Sequence, residues 1–279
     1  MKAFWITMQI IKAVIAVIGL CSSLFAKAPH NTVTWNEIYN IKDINATYVP
    51  QGIEVYEDYV LFSVHANDEK SVLIVFKKED NKTKLTYLFE VDFPTEATHT
   101  SDLNILDDTL YAMDYASNKI YAINLKKLLE KKELVVESYF YLNMKKTGSF
   151  AFVKYEDEVY VLVSQFILTN KLTVFKLEEL KNETLEKSKI AFTIKNNRFV
   201  QGLYTKYNML LIATNNFGID TITIVDIPKM MKSRDVSHAT MKTINAPYKM
   251  VEDIAIYQNT ILTSDEESFM IYQSQDLTK

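Results

Sequence analysis

Short apolar runs divided by polar pairs recur five times between residues 51 and 272. Each unit holds three runs: 51–56, 59–63 and 72–76 in the first; 101–106, 109–114 and 119–123 in the second; 148–153, 159–164 and 171–175 in the third; 201–205, 209–214 and 221–225 in the fourth; 252–257, 260–264 and 268–272 in the fifth. The apolar anchors Ile53, Leu103, Phe150, Leu203 and Ile254 are separated by 50, 47, 53 and 51 residues. A period of that length, filled with short runs of β-branched and aromatic residues, is what a β-propeller blade requires. Between the first and second runs lie Glu57-Asp58, Asp107-Asp108, Glu156-Asp157-Glu158, Lys206-Tyr207-Asn208 and Gln258-Asn259, polar segments suited to hairpin reversals. The second runs are continuously apolar, as in strands buried on both faces of stacked sheets.

A blade needs a fourth strand. Residues 86–91, 134–141 and 189–194 supply one after the first three units, and 241–244 after the fourth. The fifth unit has no room for one before Lys279, whereas 32–39 is left over at the start. The pattern therefore predicts an all-β fold, a five-bladed β-propeller closed by the N-terminal strand. A six-bladed ring is the alternative, and it would need another unit within residues 29–48, which are too few. Three charged insertions, 126–133, 177–188 and 227–240, are expected on the outer rim as solvated surface.

The N-terminus follows a different plan. Lys2 and Lys12 precede the uncharged run 13–20, and small residues follow, with Ala26 and Ala28 at cleavable positions. That order marks a secretory signal peptide over residues 1–26, leaving 27–279 as a single propeller domain. The apolar run is too short for a comfortable span, so no stable membrane segment is expected after cleavage. A secreted or periplasmic location follows. Cleavage takes the formal charge from −4 to −6 and removes Cys21, the sole cysteine, so no disulfide is expected. The acidic balance excludes a nucleic-acid binder built on a basic footprint. With 48% hydrophobic residues the chain can bury one large core and is expected to be a monomer. Asn45-Ala46-Thr47, Asn81-Lys82-Thr83 and Asn182-Glu183-Thr184 match the glycosylation triplet, which has meaning only in a eukaryotic secretory pathway.

In such a ring the starts of the innermost strands converge on one face. This gathers Gln51-Gly52, Ser101-Asp102, Gly148-Ser149, Gln201-Gly202 and Glu252-Asp253. Two of the four glycines beyond residue 26 fall at matched positions, pointing to close backbone approach or unusual dihedrals. Asp102, Glu252 and Asp253 are candidate ligands for a hard cation such as Ca2+. Gln51, Ser149 and Gln201 are candidate ligand-binding residues; Glu54 and Asn104 lie two positions further along their strands. His99, just before an inner strand, is the candidate general base, with an Asp to orient it. His65 follows a second strand; His30 and His238 read as plain surface residues. Tyr48, Tyr204, Phe217 and Tyr248 are candidates for stacking on sugar rings. The Gly-rich nucleotide loops, the zinc-protease helix motif and the serine-hydrolase elbow are all absent from the sequence.

The segments Val49-Pro50-Gln51-Gly52-Ile53, Val200-Gln201-Gly202-Leu203 and Leu110-Tyr111-Ala112-Met113-Asp114 resemble the broad group of secreted propellers that includes SMP-30-like lactonases, paraoxonases and NHL-type repeats. The resemblance implies a channel-mouth calcium or other divalent ion and hydrolysis of lactones or esters. Members of that group carry six blades and use Glu, Asn and Asp ligands, where this chain has five units and mixed Gln, Asp, Ser and Glu-Asp. The leading expectation is a propeller that binds a small molecule, glycan or protein partner through its channel-mouth loops. The alternatives are a metal-dependent hydrolase of a lactone, ester or glycan, and a lectin-like propeller with pockets repeated between blades.

Overall fold

The computed structural model describes residues 33–66, 70–79, 82–144, 146–166, 169–182, 189–196, 199–215, 220–247 and 250–277. The signal-peptide segment, Cys21, His30, Phe217 and Tyr248 lie outside them. Twenty strands form five four-stranded antiparallel sheets. Blade 1 runs outward as β2 (Val49–Tyr56), β3 (Tyr59–Ala66), β4 (Lys70–Lys77) and β5 (Thr86–Asp92). Blade 2 is β6 (Thr100–Leu106), β7 (Thr109–Asp114), β8 (Lys119–Asn124) and β9 (Val136–Tyr141). Blade 3 is β10 (Thr147–Tyr155), β11 (Glu158–Gln165), β12 (Lys171–Lys176) and β13 (Phe192–Lys195). Blade 4 is β14 (Val200–Lys206), β15 (Met209–Asn215), β16 (Asp220–Asp226) and β17 (Thr240–Asn245). Blade 5 takes β18 (Val251–Tyr257), β19 (Thr260–Asp265) and β20 (Met270–Ser274) from the C-terminus and its outer strand, β1 (Trp35–Asn40), from the N-terminus.

That last pairing closes the ring, as the sequence predicts. β1 lies antiparallel to β20, with Trp35 opposite Ser274 and Asn40 opposite Met270. Ile38 is buried, and Val33 N–H donates to Asn245 Oδ1 at 2.7 Å, so the N-terminal strand is also held to blade 4. The five inner strands touch in a cycle, β2 to β6 to β10 to β14 to β18 and back to β2. All five inner hairpins turn through a left-handed residue: Glu57, Asp107, Glu156, Tyr207 or Gln258.

The apolar second runs lie in the middle of the sheets and are buried on both faces, with Leu61, Phe62, Leu210, Ile212, Ile261 and Leu262 at 0% exposure where the sheets pack. The insertions differ from the solvated surface predicted for them. Residues Leu125–Lys131 and Ile227–Ser233 are helices, capped by the side-chain oxygens of Asn124 and Asp226. They bury Leu125 and Leu128, and Ile227, Met230 and Met231, against adjacent blades. The charged residues that dominate the composition of these segments occupy only the outward stripe of each helix.

Candidate functional site at the channel axis and mouth

A β-bulge interrupts every inner strand at the same level. Register slips between Pro50 and Ile53, Thr100 and Asp102, Thr147 and Ser149, Val200 and Gly202, and Val251 and Ile254. Such a bulge breaks the regular alternation of side chains. Each of the five dipeptides gathered by the repeat sits on one. Its second member, Gly52, Asp102, Ser149, Gly202 or Asp253, is buried. Its first member is only partly buried in Ser101, Gln201 and Glu252. The predicted site is therefore two layers, a buried axial one and an open one above it.

The axial layer is a polar plug. Asp102 and Asp253 are wholly buried, and their carboxyl groups hydrogen-bond each other across the axis, joining blade 2 to blade 5. Phe150 N–H donates to Asp102 Oδ2 at 2.8 Å. Ile53 N–H donates to Asp253 Oδ2 at 2.9 Å and Ile254 N–H to Asp253 Oδ1 at 2.8 Å. Each aspartate thus holds a neighbouring inner strand by a backbone amide. The two matched glycines make this possible by close approach, since neither has a left-handed φ. A Cβ on Gly52 would lie 3.0 Å from the Asp102 backbone, and one on Gly202 would lie 2.7 Å from Asp253 Cα and overlap Oδ1.

One level further along, Glu54 and Asn104 complete the plug. Val55 N–H and Ile105 N–H donate to the Glu54 carboxyl at 2.6 and 2.9 Å. Asn104 Nδ2 donates to Phe150 O at 2.9 Å, with longer bonds to Asp102 Oδ1 and Leu203 O, and so ties blades 2, 3 and 4 together. Burial pushes the carboxyls of Asp102 and Asp253 well above the ordinary carboxylate range. Negative charge on Asp253 adds to this at Asp102, and negative charge on Glu54 adds to it at Asp253. Burial also lifts Glu54 to about 8, against the two amide bonds that favour its charge.

Other predicted residues are absorbed by the fold. Gln51 is buried and its Nε2 donates to Pro50 O at 2.7 Å. Ser149 Oγ pairs with Ser164 Oγ at 2.7 Å, buried between strands of blade 3. Tyr48 packs in the core, with its hydroxyl on Glu90 Oε1 at 3.2 Å. Glu252 stays at the open layer, separate from its neighbour Asp253. Burial, and then Glu266 beside it, raise its carboxyl well above the usual range. Among the described residues no group of three or more His, Cys, Asp or Glu has the geometry to hold a metal ion.

At the open mouth the notable feature is a row of rings from three blades. His65 and His99 stack with centroids 5.0 Å apart, His99 meets Tyr115 at 5.4 Å, and Tyr115 meets Phe166 edge-on at 6.0 Å. His65 Nδ1–H donates to Thr98 O at 2.8 Å. Phe166 is 55% exposed at the end of the row. The acid beside His99 is Asp114, which accepts the His99 backbone N–H at 2.7 Å and the Ser117 N–H at 2.6 Å. It fixes the strand start; Asp102, nearer in the inner strand, faces the axis. Burial, and then His65, hold the His99 imidazole below its ordinary value, with Asp114 pulling the other way. Tyr115 and Phe166 escape a reading of the inner strands because they lie just after second strands, where only the sheet register brings them to the mouth.

The molecule is a closed five-bladed β-propeller with a carboxyl-filled axis and an aromatic shelf at one mouth. Among solved structures, glutaminyl cyclase from Myxococcus xanthus superposes with a TM-score of 0.59 over 89% of this chain and 98% of that one, at 9% identity. A glucose-dehydrogenase-like oxidoreductase from a Thermus species aligns with a TM-score of 0.45 over 87% of this chain and 100% of that one, at 7% identity. At 9% identity the likeness to the cyclase establishes a common propeller fold. No protein-family profile and no curated protein sequence matches the chain. No helix among the described residues is long and apolar enough to cross a membrane.

Proposed function

We propose that this propeller binds a small ligand with a planar or apolar face on the shelf formed by His65, His99, Tyr115 and Phe166. The observation that carries this reading is the continuous run of ring contacts from three blades ending on the exposed Phe166. The row offers one continuous ring surface that reaches water at Phe166, on which the flat face of a ligand can stack. Partly buried Ser101, Gln201 and Glu252 stand on the same bulge level and supply polar partners around the mouth. Export through residues 1–26 is part of the proposal, so the ligand is one met outside the cytoplasm.

The hydrolase reading gains no support from the geometry. Asp102 and Asp253 spend their oxygens on backbone amides and on each other, and among the described residues no carboxylate hydrogen-bonds the stacked His99 ring. The lectin reading needs similar pockets in each blade, whereas the shelf belongs to blades 1 to 3. The test is a fragment titration followed through the histidine and aromatic side-chain NMR signals. Planar fragments should shift His65, His99, Tyr115 and Phe166 together, and Phe166→Ala should weaken binding several-fold without lowering the melting temperature. Hits that leave those four rings unmoved would remove the proposal. Export is tested separately, by the N-terminus of protein recovered from outside the cytoplasm, which should begin after Ala26.

A further inference from the structure

The opposite end of the channel carries a second concavity. A cavity of about 460 Å³ opens where the inner strands of blades 1, 4 and 5 end. That volume lies within the range of small-molecule pockets. Val55 and Ile256 give it apolar walls, and Tyr204 and Tyr257 add rings. Lys206, on β14, is the cation among the lining residues. Glu57 and Asp58, exposed in the hairpin turn of blade 1, line its rim.

Lys206 is held unusually loosely for a half-buried ammonium. Its Nζ donates to Ile256 O at 3.4 Å and stands 5.9 Å from the Tyr207 ring centroid. Among the described residues no carboxylate lies within ion-pair distance of it. An ammonium has three N–H donors. One long bond leaves donors without a protein partner inside a partly dehydrated space, where an anionic oxygen would be held more strongly than in bulk water. Burial lowers the lysine's basicity, with the buried Glu54 carboxyl pulling the other way, and a bound anion would offset the cost that remains. The walls add surface for an apolar body. The acidic rim adds a selection, because two carboxylates near the opening repel a ligand of higher negative charge more than one carrying a single charge.

We propose that this cavity is a binding site for a small organic monocarboxylate with an aromatic or branched aliphatic body, its carboxylate on Lys206 and its body between Tyr204 and Tyr257. The site is separate from the aromatic shelf and stands whether or not the shelf binds a ligand.

Phenylpropionate is a suitable probe, with phenylpropanamide as its neutral counterpart and phenyl phosphate as a doubly charged one. Calorimetric or NMR titration of the protein spanning residues 27–279 should show phenylpropionate binding at least about tenfold more tightly than either comparison compound. Lys206→Met should abolish the preference over the amide, and Lys206→Arg should keep part of it, both with unchanged melting temperature. Equal affinity for acid and amide in the unaltered protein would overturn the proposal without reference to any variant. So would a preference that survives Lys206→Met, a stronger response to phenyl phosphate, or no saturable binding of phenylpropionate. Shifts confined to Tyr204 and Tyr257 would place the probe here; shifts at His99 and Phe166 would assign it to the other mouth and sink the proposal.

Discussion

The Asp253 carboxylate occupies the volume that a side chain on Gly202 would need. A methyl group there would overlap Oδ1 and come within 2.7 Å of Asp253 Cα. The same relationship joins Gly52 to Asp102, where the nearest backbone atoms are at 3.0 Å and the hydrogen-bonded Ser63 Oγ is at 2.8 Å. In both pairs glycine on one inner strand makes room for an aspartate on the next, and the aspartate then holds the blade beyond it. Absence of a side chain at two points thus lets the ring close tightly on its axis.

Alanine at these positions should be costly and unequal. Overpacking a rigid site costs about 1–3 kcal/mol. Gly202→Ala meets Asp253 backbone and carboxylate at once, so it should fall at the upper end or beyond. Gly52→Ala meets the Asp102 backbone only at 3.0 Å, a milder approach than that of Gly202, and should cost less, although it also presses on a Ser63 hydroxyl held by Gly52 N–H and Thr100 O. Urea unfolding midpoints of the two variants check the order; equal effects would mean that Asp253 shifts as readily as a serine hydroxyl.

The plug should make the protein less stable as pH rises. Asp102, Asp253 and Glu54 hold their protons more tightly folded than unfolded, so the native state binds more protons above the ordinary carboxylate range. Stability from this source is full at or below that range and declines with rising pH, by up to about 1.4 kcal/mol per pH unit for each such proton. For Glu54 the decline ends at about 8. Asp102→Asn should flatten the slope with little loss of stability, because an amide keeps an acceptor for Phe150 N–H and can still donate to Asp253. Asp253→Asn should cost about 1–3 kcal/mol, since both native oxygens accept backbone amides and an amide group offers one. Denaturant midpoints at several pH values distinguish the two; a pH-independent midpoint in the unaltered protein would contradict the arrangement.

Asn104 is the one amide among these acids, and its Nδ2 satisfies carbonyls of two other blades. Asn104→Ala strands those acceptors and should cost about 1–3 kcal/mol. Asn104→Asp is the sharper probe. A protonated carboxyl can still donate to Phe150 O, so the variant should approach native stability at about pH 5. Above about pH 8 it should be far weaker, because a fourth buried acid would then have to ionise or hold its proton at a growing cost. Parallel loss at both pH values would show that Asn104 acts by shape alone.

Much of this was legible in the residues, and the part that was not has a physical reason. The anchors Ile53, Leu103, Phe150, Leu203 and Ile254 set the blade count because inner strands need one apolar residue each at the same depth. The left-over segment 32–39 had to pair somewhere, and the missing outer strand of blade 5 was the vacancy. Sequence adjacency misled at Glu252-Asp253, where a bulge turns one acid to the mouth and buries the other. It left open which Asp lies beside His99, and the β6–β7 register sets that neighbour as Asp114, whose carboxylate takes the His99 backbone N–H. Tyr204 and Lys206 share one face of β14, but nothing local marks them as neighbours of Val55 and Ile256, because these meet only where three strand ends converge around the ring.

Asp114 and Asp265 offer a matched pair for separating support of the site from support of the fold. Both end second strands, and both carboxylates clamp a following turn and the start of their own inner strand. Asp114 takes the N–H groups of Ser117 and His99, and Asp265 those of Ser268 and Met250, at 2.6–3.1 Å. Each clamp satisfies two backbone donors, so alanine at either should lower stability by a similar amount, about 1–3 kcal/mol. Their effects on the mouth should differ. Asp114→Ala frees the backbone of His99 beside Tyr115 and removes the carboxylate charge that pulls the imidazole upward, so the His99 titration midpoint should fall further below its ordinary value. Asp265→Ala should leave that midpoint in place and act instead near Glu252 and Glu266. Histidine C2–H titrations of both variants read this directly, and an unchanged His99 in Asp114→Ala would show that the shelf is held by ring stacking without the carboxylate.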